Sequence, residues 1–180
     1  MKTIDNYLLL MGVNDASHFL HIAQERQADT ISMRDFFAET EKKRFGSLIN
    51  PGILMSIAYS YFVFGYELRC LDDFFPSRFL NDIKIQNIED KNFYTKQDQD
   101  KWKYLQRRLR NSIAHCRFKV EVRSKPGKIQ EDGDVWYVFS DENNGKDKIE
   151  FAMSFPTFGN IINLAGAHCA NKIRTMRSIT

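Results

Sequence analysis

Apolar and polar positions first recur at the 3.6-residue period of helices. Asn14 or Asp15 can cap a helix running to about Gln27, with Phe19, Ile22 and Ala23 on its inner face. A second helix follows Ser32 through Arg34–Phe45 and ends near Gly46. Asn50-Pro51 is a strong start signal, a capping residue followed by Pro at the first helical position. It opens a segment, 51–69, that is apolar nearly all round (Ile53, Leu54, Ile57, Ala58, Tyr61, Phe62, Phe64). Such a helix belongs in the centre of a core.

The pattern over 70–96 is weaker. Pro76 breaks any helix there, and a short helix can run from Pro76 or Ser77 to Ile85. Asp98 and Asp100 then cap the helix KWKYLQRRLRNSIAH, where Trp102, Leu105, Leu109 and Ile113, with Ser112, form one apolar stripe. After His115 the period becomes two. FKVEV (118–122) alternates, VWYVF (135–139) is β-rich, and KIEFAMSF (148–155) alternates again, with turn residues between them. Pro156 opens a last helix to about Arg174, with Ile161, Leu164, Ala165 and Cys169 inside. No repeat or linker divides the chain, so residues 1–180 read as a single domain. The predicted fold class is mainly α, a helical bundle with a small antiparallel β-hairpin or meander inserted before the last helix.

Composition adds mostly exclusions. With 43% hydrophobic and 27% charged residues, the 180-residue chain is of ordinary globular make-up. No apolar run approaches the ~20 residues of a membrane span, and MKTIDNYLLLMGVND is a poor signal peptide. Cys70, Cys116 and Cys169 form no metal spacing, which fits small thiols in a reducing cytoplasm. Charge changes the picture more. The chain carries +3 overall. Yet Lys101, Lys103, Arg107, Arg108, Arg110, Arg117 and Lys119 crowd one stretch that holds no acidic residue, leaving the remainder net acidic. That distribution predicts a local anion site.

Within this stretch Arg110-Asn111-Ser112-Ile113-Ala114-His115 ends a helix. Asn111 and His115 lie about 40° apart on the helical wheel, and Arg107 falls one turn before Asn111. One face thus carries Arg107, Asn111 and His115, with Arg110 flanking it. Metal-free RNA cleavage needs a base for the ribose 2′-OH, an acid for the departing 5′-oxygen, and a cation for the phosphorane. Histidine titrates near neutrality and can be acid or base. Arginine's fixed charge and fork suit phosphate oxygens. One histidine cannot easily serve as both, so this chemistry asks for a two-fold dimer bringing two copies of the helix end together. Spacing alone is weak, since Arg-x(4–6)-His occurs readily by chance and a basic helix end is expected from the helix dipole.

The stretch LRNSIAHCRF (109–118) resembles the signature of the HEPN superfamily, Arg-polar-x(3)-His in a local L-R-N-x-[IL]-A-H-G-[RN]-F context. Leu109, Arg110, Asn111, Ile113, Ala114, His115, Arg117 and Phe118 match it. The departure is Cys116, where a Gly is usual; its Cβ restricts left-handed backbone at that helix end. The close match covers about ten residues, and the rest is similar to small stand-alone bacterial HEPN proteins in architecture. The resemblance implies an HEPN-like helical bundle, a dimer, and a metal-independent endoribonuclease leaving 2′,3′-cyclic phosphate ends. It implies Arg110 and His115 as the catalytic pair, with Asn111 the polar residue between them. Arg107, Arg117 and Lys119 are the expected RNA-backbone contacts. No cofactor or metal is expected. The expected setting is cytoplasmic, in toxin–antitoxin or phage-defence systems, with RNA, a second copy and a cognate antitoxin as partners. The alternative is a non-catalytic HEPN-like module binding RNA, a nucleotide or a protein.

Other residues carry weaker readings. His18 and His21 have no third ligand at metal spacing, and Glu25 makes a surface pair with His21 the simpler account. His168 reads as a half-buried histidine. Trp136 and Tyr137 could stack on bases, or pack on one face of a hairpin.

Overall fold

A computed structural model describes residues 51–123, 134–143 and 147–177. The helices expected at 14–27 and 34–45, and with them His18, His21 and Glu25, lie outside the described residues. The chain divides into two compact units, Met1–Ser56 and Ile57–Thr180. In the first, the described residues 51–56 are helical, and Ser56 Oγ donates to the Gly52 carbonyl at 2.9 Å. Labels below number the described elements only.

Helix α1 (Pro51–Tyr59) continues into a π-helical turn, Ser60–Gly65. It closes on Arg69, whose φ of 55° lies in the left-handed region. There Cys70 N–H donates to Gly65 O and Arg69 N–H to Tyr66 O, both at 2.9 Å, so the last carbonyls are satisfied by a Schellman turn. A 3-10 turn at Ser77–Asp82 leads to strand β1 (Lys84–Ile88). Helix α2 (Asp98–Ala114) follows a further 3-10 turn, Phe93–Thr95. Its N-cap is Gln97 without a side-chain bond. Asp98 and Asp100 therefore act within the first turn, where negative charge suits the helix dipole, and not as caps.

Strands β2 (Phe118–Arg123), β3 (Asp134–Glu142) and β4 (Lys148–Ser154) come next, then helix α3 (Phe155–Arg177). Ser154 caps α3: its Oγ accepts from Thr157 N–H at 3.3 Å. The four strands form one antiparallel sheet in the order β1-β4-β3-β2. The mainly α bundle with one inserted hairpin is thus corrected to a mixed α/β fold. The segment over 84–88 is a strand because it completes the sheet along β4, with a bulge between Ile85 and Asn87, and the helix expected to reach Ile85 shrinks to the 3-10 turn.

The sheet supplies much of the core. Tyr137, Phe139, Phe151 and Met153 are fully buried, and the Phe158 ring of α3 packs against Tyr137 and Phe139, with centroids 4.8 and 5.1 Å away. The α2 stripe Trp102, Leu105, Leu109 and Ile113 is buried as its spacing predicts. Ser112 then pins α2 to β3: its Oγ donates to the Ser140 carbonyl at 2.8 Å. No helix among the described residues is long and apolar enough to cross a membrane.

Candidate functional site

The Ser112–Ser140 contact sets the last turns of α2 over Asp141, one residue further along β3. Asp141 is 2% exposed, and such a carboxylate must be paired. Three α2-side donors meet it. Arg108 Nη1 donates at 2.9 Å and Asn111 Nδ2 at 3.1 Å to one oxygen, while Arg117 Nη1 lies 3.4 Å from the other. Arg108, 1% exposed, also donates through Nη2 to Asp147. Tyr104 OH donates to the same Asp147 at 2.8 Å, and its ring lies 4.9 Å below the Arg108 guanidinium. Burial raises the Tyr104 pKa, with Arg108 opposing, so the phenol stays a donor.

This network fixes Asn111, and Asn111 in turn holds Arg110. Arg110 Nη1 donates to Asn111 Oδ1 at 3.1 Å, and Nη2 donates to the Glu67 carboxylate at the end of the preceding helix. The guanidinium carbon stands 5.7 Å from the Tyr66 ring centroid. Arg110 is thereby held from three sides, while 27% of its side chain stays exposed.

His115 differs. It is the C-cap of α2 and exposed, and its imidazole has no hydrogen bond, ion pair or ring contact among the described residues. Its presentation depends on Cys116, whose φ is 52°. Arg117 N–H donates to Ser112 O at 2.7 Å and Cys116 N–H to Ile113 O at 3.1 Å, a second Schellman turn. The cysteine therefore adopts the left-handed conformation that its Cβ disfavours, and the turn forms as it would around glycine.

The expected backbone contacts separate. Arg107 is exposed, 5.9 Å above the Tyr104 ring. Arg117 is about half exposed beside Asp141. Lys119 pairs across β2–β3 with Val138, whereas Phe118 pairs with Phe139, so the pleat puts Lys119 on the opposite sheet face. There it binds Glu121 at 2.8 Å, which raises its pKa. The concentrated positive charge is largely met in space. Arg108, Arg110, Arg117, Lys101 and Lys119 all touch carboxylates; Lys103 and Arg107 pair with none among the described residues.

The residues that composition and spacing missed are Asp141, Asp147 and Glu67. They sit 24 to 43 positions from their partners, beyond any local pattern. Tyr137 is fully buried and so unavailable to stack on a base; Trp136 lies under the Arg123 guanidinium at 4.6 Å. Cys70 and Cys169 are buried, and burial first, then the neighbouring Cys70, pushes the Cys169 thiol up to about 11. No group of three His, Cys, Asp or Glu side chains among the described residues is arranged around a metal position.

No curated protein and no solved structure matches the chain. A family model, HEPN pEK499 p136, matches residues 10–175, which spans both compact units. Its class points to RNA-related or toxin-type functions in general. With Arg110 held and His115 open at the end of one helix, and that match along nearly the whole sequence, this chain belongs to the HEPN pEK499 p136 family.

Proposed function

We propose that the chain, acting as one HEPN domain, is a metal-independent endoribonuclease that works as a homodimer. The observation that carries this reading is the contrast at the end of α2: a cation held in place at Arg110 and an exposed imidazole at His115 with no partner among the described residues. In a two-fold dimer one neutral His115 takes the 2′-OH proton as that oxygen attacks phosphorus. The second, protonated, gives its proton to the departing 5′-oxygen. The P–O5′ bond breaks, leaving a 2′,3′-cyclic phosphate and a 5′-OH. Arg110 holds the charge on the phosphorane, and Asn111 orients Arg110. Arg107 and Arg117 are the cations assigned to the RNA backbone, and Lys119, on edge strand β2, extends that track around the sheet. In the cell this activity suits a toxin or phage-defence effector restrained by a cognate antitoxin.

The test is cleavage of single-stranded RNA in EDTA. Wild type should yield 2′,3′-cyclic phosphate ends, and Arg110→Ala and His115→Ala should both abolish cleavage while retaining the wild-type melting profile. Unchanged cleavage by His115→Ala contradicts the mechanism. The second reading, a non-catalytic module binding RNA, a nucleotide or a protein, is favoured by Glu67, which occupies the guanidinium that a phosphate would need. It expects salt-sensitive RNA binding with no product.

A further inference from the structure

On the side of α2 that leads to Arg110, a cleft of about 210 Å³ is lined by Tyr66, Leu71, Asp72, Lys103 and Gln106. Gln106 is 4% exposed, and its Nε2 donates to the Leu71 carbonyl at 3.1 Å. That bond fixes the amide and leaves Oε1 as an acceptor. Asp72 and Lys103 are exposed charges on the same cleft, yet they form no ion pair with each other. Tyr66 supplies an aromatic wall and is also the ring beside the Arg110 guanidinium. Gln106 and Arg110 are one turn apart on α2, ~6 Å along its axis.

We infer that this cleft is a nucleobase subsite for guanine, set beside Arg110 so that the guanosine's phosphate meets the guanidinium. The inference rests on the ribonuclease reading for its place in the reaction, but the cleft's binding preference stands apart from it. The chemistry selects the base. Guanine presents two adjacent donors, N1–H and the N2 amino group, which a carboxylate such as Asp72 accepts together. Its O6 and N7 are acceptors for the Lys103 ammonium. Adenine and cytosine place a ring lone pair beside their amino groups, and uracil flanks its single N–H with carbonyls. Each would set a lone pair against the Asp72 carboxylate. Tyr66 offers the stacking face used for unpaired bases.

The test is ligand-observed saturation-transfer NMR of the wild-type chain with 5′-GMP, AMP, CMP and UMP, none of which contains a cleavable linkage. GMP should bind about tenfold more tightly than the other three. Asp72→Asn should remove that preference without lowering the melting temperature, because Asp72 is exposed. Tyr66→Leu should weaken all four nucleotides. Equal binding of the four, or a GMP preference that survives Asp72→Asn, overturns the subsite. A parallel RNA digestion separates the two readings. Cleavage without a guanine bias, together with equal nucleotide binding, removes the subsite and leaves the ribonuclease. A GMP preference without any cleavage supports the subsite and removes the ribonuclease.

Discussion

The two described histidines are the same chemical group in opposite situations. His168 lies within α3, half-buried, its Nε2 3.1 Å from the Asp73 carboxylate and its ring 5.5 Å from Phe74. Lys172 above all, with His168, holds Asp73 down at about 2, so that carboxylate stays ionised at any working pH. His115 sits past the end of α2, exposed, with nothing among the described residues bonded to its ring. A histidine fixed by a carboxylate serves the fold. One left open at a helix end, five positions past an arginine held from three sides, is what the proposed mechanism asks of a proton carrier. The difference bears on the proposed dimer: support is built around Arg110, and none among the described residues around the imidazole.

The largest effect should fall on His115. His115→Ala is expected to lower RNA cleavage ~10³-fold or more, because both proton transfers are lost. His168→Ala in the same assay should leave cleavage intact. Equal losses from the two variants would erase the distinction.

The next effect concerns the support under α2. Asp141→Asn leaves Arg108 short of one carboxylate in a buried setting, which should cost ~3 kcal/mol. For a chain of this length that lowers the melting temperature by roughly 6–12 °C, measurable by calorimetry. Loss of cleavage with an unshifted melting curve would show that Asp141 acts on chemistry and not on the fold.

Smaller effects refine how Arg110 and His115 are presented. Glu67 competes with phosphate for Arg110, and the pair is more than half exposed on the carboxylate side. Glu67→Gln should therefore raise kcat/KM by no more than about fivefold, the scale of an exposed ion pair. A fall would mean that Glu67 orients the guanidinium. Cys116→Gly removes the left-handed strain in the turn after His115 and should stabilise by about 1 kcal/mol, seen as a melting temperature ~2–4 °C higher.

Local pattern carried some of this architecture and missed the rest for one reason. The α2 stripe, the three later strands and the last helix were legible because each is written in the period of its own residues. Lys84–Ile88 was not, since KIQNI has no buried residue of its own and becomes a strand only by pairing with β4, more than 60 positions away. The site divides in the same way. Arg110, Asn111 and His115 are close in sequence and stand out there, whereas Glu67 meets Arg110, Asp141 meets Asn111 and Asp147 meets Arg108 only through the fold. Charge divides in that way too. Seven cations crowded into residues 101–119 read as one anion site, yet Arg108 is a buried structural ion and Lys119 lies on the sheet face opposite Phe118.

The central claim, that one His115 leaves the site incomplete, is tested most directly by subunit mixing. Wild type and His115→Ala are equilibrated in equal amounts at fixed total concentration, and RNA cleavage is compared with wild type alone. If two His115 side chains must share one cleft, only wild-type pairs cleave, and activity falls to about one quarter. Activity of about one half, as independent subunits would give, contradicts it.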